Sequence, residues 1–364
     1  MPVYVCAESA VQHYRCALSP AESDRSAQIE NLDDAVSLKR DVNLLNLTGL
    51  GLPSPSVTEP LHVLVSAGTN RGRAKSVLPM AWNGPLPKDA FREVQKDAYV
   101  SSPEFTFLQM ARVLDLVSLI ELGMEFCGTY RREAVNGQTI YDQPTLTTPR
   151  KLAQFLDAAG QAHGVKVARQ ALKYVVPDSA SPLETIVYLL LCLPRRLGGY
   201  AFPTPKLNAA IKLGKWGRRH TLRRSSVPDL YWQDAKIDLE CHGKVHELEK
   251  TRTEDSMRRK ALERMGVEVI ELTYDEVKDQ KLFSATVRRL ANRLGIRLRA
   301  RSERGFDEHE EALRDALLPT EEIPGRLWKE DIASEEFESW EGEELPPEYD
   351  SWEVYMADGD DTEL

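Results

Sequence analysis

Residues 227–246, VPDLYWQDAKIDLECHGKVH, gather four acidic side chains and two histidines within one short stretch. From 236 to 242 the apolar Ile237, Leu239 and Cys241 alternate with Asp238, Glu240 and His242. A period of two belongs to a β-strand, and it puts the three polar side chains on one face. Such a face is odd in a core and natural in a site. Residues 229–232 predict a preceding strand, with Gln233-Asp234 as the turn between the two. Asp229 and Glu240 then project from neighbouring strands. Carboxylates so placed suit a hard divalent cation, Mg²⁺ or Mn²⁺, which prefers oxygen ligands. Such an ion can generate a hydroxide nucleophile and neutralise the charge that builds up on a phosphodiester under attack. We take Asp229 and Glu240 as the candidate metal ligands. His242, two residues beyond Glu240, stands where a base or charge stabiliser would belong.

The stretch just upstream has the opposite charge. Residues 206–224 contain Lys206, Lys212, Lys215, Arg218, Arg219, Arg223 and Arg224, with His220 and Trp216 among them and no acid. Cations interleaved with an aromatic suit a phosphate backbone, and these seven are the candidate nucleic-acid contacts. The plainer reading is a solvated basic loop. Cys241, His242 and His246 do not make a convincing zinc site: a fourth ligand is missing, and adjacent strand residues point to opposite faces. The five cysteines form no CxxC pair and read as reduced thiols. Asp255 and Arg258, one helical turn apart, are either a surface ion pair or a functional pair.

Charge is distributed unevenly. Residues 307–364 hold 22 Asp or Glu and 3 Lys or Arg, a net of −19; the whole chain is −10, so residues 1–306 carry about +9. A basic body suits an anionic partner such as DNA. The acidic end, which contains Trp328, Trp340 and Trp352, reads as a mostly disordered tail. It either solvates, competes with nucleic acid for the basic surface, or takes a protein partner. The N-terminus lacks a basic start followed by a long apolar run, so no secretory signal is expected. The longest apolar stretch, 186–193, is too short to cross a bilayer. The expectation is a soluble cytoplasmic protein with no membrane partner.

The positioning elements follow from pattern. A chain of 364 residues implies two or three domains. Residues 7–17 suggest a short helix, 61–66 a strand, 68–73 a turn, 76–82 a returning strand, and 91–101 a further strand. Ser102-Pro103-Glu104 opens a buried helical stretch, either one long helix or two. Helices at 149–159 and 165–175 follow. Ser181-Pro182-Leu183-Glu184 is a second helix opening, just after a boundary at 177–181. Beyond the two candidate site strands come a helix over 253–265 stopped by Gly266, a strand over 267–272 and a basic helix over 283–294. After residue 299 the periodicity fades.

In this order the C-terminal half resembles the very-short-patch-repair-like branch of the PD-(D/E)XK nucleases. The residues that carry the resemblance are Ser181-Pro182-x-Glu184, Pro228-Asp229, Glu240-x-His242-Gly243-x-x-His246, then Asp255, Arg258, Leu262 and Gly266. The resemblance implies a metal-dependent nuclease fold, with Asp229 and Glu240 as ligands, His242 in the third motif position, and Glu184 and His246 as supporting site residues. His242 departs from the pattern, since relatives usually have Asp there and the wider superfamily Lys. More faintly, residues 100–116, VSSPEFTFLQMARVLDL, with the strands before them, resemble the abortive-infection antitoxin (AbiEi-type) region of bacterial proteins. Residues 1–50 show no clear winged helix, so a DNA-reading role for them is not implied.

The expected fold class is α/β. An α+β, AbiEi-like domain would occupy residues 1–175, and an α/β/α restriction-endonuclease-like core with a small mixed sheet residues 176–300. An acidic tail would fill 301–364. The expected function is Mg²⁺-dependent hydrolysis of DNA phosphodiester bonds. The alternative is a nuclease-fold protein without catalysis, acting as a DNA-binding regulator or antitoxin.

Overall fold

The computed structural model describes residues 2–16, 25–29, 32, 52, 60–66, 76–132, 138–214, 225–243, 252–298 and 305–318. These all fall within one compact unit, Met1–Gly325, and the protein is mixed α/β. Among the described residues no helix is long and apolar enough to cross a membrane.

The first layer is a six-stranded sheet. In chain order its strands are β1 (Val3–Val5), β2 (Arg25–Ala27), β3 (Leu61–Ser66), β4 (Val77–Trp82), β5 (Phe91–Gln95) and β6 (Ala98–Ser101), arranged β2-β5-β6-β1-β3-β4. The sequence suggested that β4 returns beside β3. It instead runs parallel to it, with Leu61 beside Val77 and Ser66 beside Trp82. The stretch read as one strand over 91–101 is an antiparallel pair, because Asp97 takes a positive φ of 60° between β5 and β6. Asp is among the few side chains that tolerate this backbone. The turn expected at 68–73 lies outside the described residues.

Helices cover this sheet for capping and packing reasons. Helix α1 is Ala7–Cys16. Ser102 caps α2 (Pro103–Met110) by accepting from the Phe105 amide at 3.2 Å. The buried helical stretch is two helices: Asp115 starts α3 (Leu116–Cys127) by accepting from the Ser118 amide at 2.9 Å. Phe105 meets Trp82, Phe91 and Phe155 at ring-centroid distances of 4.8, 5.5 and 5.7 Å, which joins α2 to the sheet and to α4 (Pro149–Ala158). Arg15 and Glu125 form a buried ion pair at 2.6 Å between α1 and α3. Burial would push Glu125 up; the Arg15 guanidinium overrides that and holds the carboxyl below its ordinary range. Helix α5 (Val165–Leu172) follows, after the short pair β7 (Arg131–Arg132) and β8 (Thr139–Ile140).

The second layer begins with α6 (Pro182–Cys192), capped by Ser181, and leads into β9 (Lys206–Leu207). A two-stranded piece joins β10 (Ile211–Lys212) to β11 (Ser225–Ser226). Then come β12 (Leu230–Trp232), β13 (Ile237–His242), α7 (Arg252–Arg264), β14 (Glu268–Thr273), α8 (Tyr274–Lys278) and α9 (Gln280–Leu294). The four-stranded sheet has the order β14-β13-β12-β9. It is mixed: β13 pairs antiparallel with β12 and parallel with β14. The parallel pair is spanned by α7, as a parallel connection requires. Gly266, at φ +78°, stops that helix, and its amide donates to Glu263 O.

The tail expected from residue 301 is not structureless at its start. Residues Phe306–Leu317 form α10. Phe306, Glu310, Leu313, Arg314 and Leu317 are buried, at the helical spacing that seats one face. Tyr200 donates to Glu310 at 2.8 Å, and Arg195 stacks over the Phe306 ring at 3.8 Å. Acidic composition hid this helix, since most of its charge lies on the exposed side. Residues 319–364 lie outside the described ones.

Candidate functional site

Register sets the site face. Tyr231 stands opposite Asp238, and Asp238 beside Val269. Partners directly across a sheet share a face. Leu262 and Ala261 of α7 pack on this face with Tyr231, Val269 and Leu213. Leu230 pairs with Leu239, so one further step of the same register puts Asp229 opposite Glu240. Glu240 and Asp238, two residues apart on β13, lie on this same face, as the alternation predicts.

Four carboxyls converge. Asp229 Oδ2 accepts from the Cys241 amide at 2.7 Å. Glu184, on the first turn of α6, accepts at Oε2 from the Ala180 amide at 2.8 Å and from Asn208 Nδ2 at 2.6 Å. Asn208 follows β9 in a left-handed conformation, φ +47°, and its amide donates to Asp229 O at 3.1 Å. Asparagine tolerates that backbone, and here it links the Glu184 carboxyl to the Asp229 main chain. Glu240 Oε1 accepts from Arg258 of α7 at 2.9 Å. Asp238 is fully buried, and neither of its oxygens finds a hydrogen-bond partner among the described residues.

Their electrostatics agree with their crowding. Burial pushes Asp229 up to about 8, and the carboxylates of Glu184 and Glu240 add to the rise. Asp238 is pushed up to about 9 by burial and then by Glu240 and Asp229. Glu184 is raised by burial, against the pull of the Ala180, Asn208 and Ser181 donors, with Glu240 adding to the rise. Like charges held together in low dielectric favour protons or a cation among them.

The remaining sequence candidates fall differently. His242 is exposed at the end of β13. Lys206 and Lys212 are exposed, and Lys206 pairs across from Tyr231, in the row that contains Asp238. His246, Lys215, Arg218, Arg219, Arg223 and Arg224 lie outside the described residues. Arg258 pairs with the site carboxylate Glu240. Three participants escaped the sequence reading in these roles: Asn208, Arg258 as the partner of Glu240, and Asp238 as a site carboxyl. Arg258 had a signal. It stands four residues before the buried Leu262, which places it on the helix face turned to the sheet.

The donor set suits a hard divalent cation, being carboxylate oxygen throughout. Among the described residues no group of three or more His, Cys, Asp or Glu is drawn together as a metal cage. Arg258 occupies one oxygen of Glu240, and the Cys241 amide one oxygen of Asp229. Each leaves a second oxygen on the same carboxyl. The site therefore fits the cation by chemistry, with Asp229 and Glu240 as the pair facing each other across two strands. Comparison with known proteins found no matching family model, no matching curated protein and no matching solved structure.

Proposed function

We propose that the chain is a divalent-metal-dependent nuclease that hydrolyses DNA phosphodiester bonds, with residues 176–300 forming an α/β/α core of the PD-(D/E)XK type. The observation that carries this reading is the facing pair Asp229 and Glu240 within a cluster of mutually repelling carboxyls. Bound Mg²⁺ or Mn²⁺ would supply a hydroxide nucleophile and positive charge at the phosphoryl group. Asp229 and Glu240 hold the ion. Glu184 fixes Asn208 and through it the chain at Asp229. Arg258 balances the charge of Glu240 and orients its carboxylate. His242, at the open end of β13, faces an incoming phosphate and acts as base or charge stabiliser. Lys206 and Lys212, with the cations of 215–224, attract the DNA backbone. Residues 1–175 are the AbiEi-like part, and the acidic end is a candidate for a protein partner.

A second reading has one observation in its favour. The Arg258–Glu240 ion pair already supplies a positive countercharge, and His242 replaces the usual Asp or Lys. Both features suit a nuclease-fold DNA-binding regulator or antitoxin without catalysis. Incubating the full chain with supercoiled and linear DNA in Mg²⁺ or Mn²⁺ separates the readings. The nuclease reading expects cutting that EDTA stops and that Asp229→Asn or Glu240→Gln lowers at least about 100-fold. DNA binding without cutting in either metal would favour the regulator.

A further inference from the structure

Asp238 is the one member of the cluster whose carboxyl oxygens have no hydrogen-bond partner among the described residues. It is completely buried on a strand, between Tyr231 and Val269 in the two neighbouring strands, both of which pack against α7. An apolar residue would fit this row better, because a buried unpartnered polar group is costly. The polar groups that act on it are the carboxylates of Glu240 and Asp229, with Arg258 beyond. Alternation turns Asp238 toward the face that holds both proposed ligands. His242, the next residue on that face after Glu240, is exposed at the strand end and offers nitrogen rather than oxygen. A hard cation held by only two carboxylates is short of oxygen donors. We infer that Asp238 is a third oxygen ligand of the divalent-cation site, supplying the carboxylate that position 242 lacks. This rests on the cation site proposed above.

The test compares the full-length chain with Asp238→Asn, Asp238→Leu and Asp229→Asn. Each is melted in EDTA and titrated calorimetrically with Mn²⁺. A ligand role predicts that the Asp238 variants melt no lower than wild type in EDTA, because only an unpartnered carboxyl is lost. It also predicts that Mn²⁺ affinity falls at least about tenfold, the least expected when even a supporting residue of a metal site is removed. Wild-type Mn²⁺ affinity in both Asp238 variants, with binding lost in Asp229→Asn, would overturn the inference and leave the cation site standing. Melting below wild type in EDTA for both Asp238 variants would also overturn it, since Asp238 would then have a structural partner. Failure of wild type itself to bind Mn²⁺ would remove the cation site and this inference together.

Discussion

Arg258 and Glu240 show how single residues divide the work in the cluster. Glu240 is buried and its partner only partly exposed, so the pair is shielded from water. Arg258→Met should therefore lower stability by about 1–3 kcal/mol, measured by urea unfolding, because it leaves a buried acceptor unmatched. An unchanged midpoint would mean that Glu240 finds another donor. The raised carboxyls give a pH signature. Asp229 sits at about 8 in the folded chain, against about 3.9 when unfolded. A folded-state rise means that the folded chain holds the proton more tightly. The resulting stability is complete below about pH 4 and is lost as pH climbs through about 8. Asp229→Asn mimics the neutral carboxyl at every pH. Wild type should thus lose melting temperature relative to Asp229→Asn between pH 5 and pH 9 in EDTA. A difference that is flat, or that runs the other way, would contradict the clustering of these carboxyls.

At the scale of elements, caps and buried pairs decide where helices begin and how they dock. Glu125→Gln should cost about 3–5 kcal/mol, because it leaves the buried Arg15 guanidinium without its counter-charge across α1 and α3. Phe306→Ala should cost about 3–5 kcal/mol by opening a hole beneath Arg195 and beside Tyr200. Both are read from denaturant midpoints. Much of this framework was legible in the sequence. Ser102-Pro103-Glu104 and Ser181-Pro182-x-Glu184 announce helix starts because a capping hydroxyl and a ring-fixed φ act locally. The Asp238–Glu240 face followed from alternation alone. What escaped depends on distance in the chain. The parallel course of β4 is set by a crossover that no local pattern records. The seating of α10 against Tyr200 joins residues 110 apart. The roles of Asn208 and Arg258 required knowing which face of each element meets the cluster.

For the whole molecule the governing feature is charge. A body of about +9 carries an end of −19. Binding to duplex DNA should weaken steeply with salt, since each neutralised phosphate adds roughly 0.9 to the log–log slope. Replacing Lys212 and Lys215 with alanine should make that slope shallower by about 2. An unchanged slope would show that residues 206–224 do not touch the backbone.

The central claim is that a divalent ion sits between Asp229 and Glu240. Anomalous diffraction from crystals of the full chain soaked in Mn²⁺ reads this directly. The account predicts a peak about 2.0–2.6 Å from carboxyl oxygens of both residues, the range hard cations keep from oxygen. Well-ordered side chains at 229 and 240 with no peak between them, and Arg258 still seated on Glu240, would contradict it.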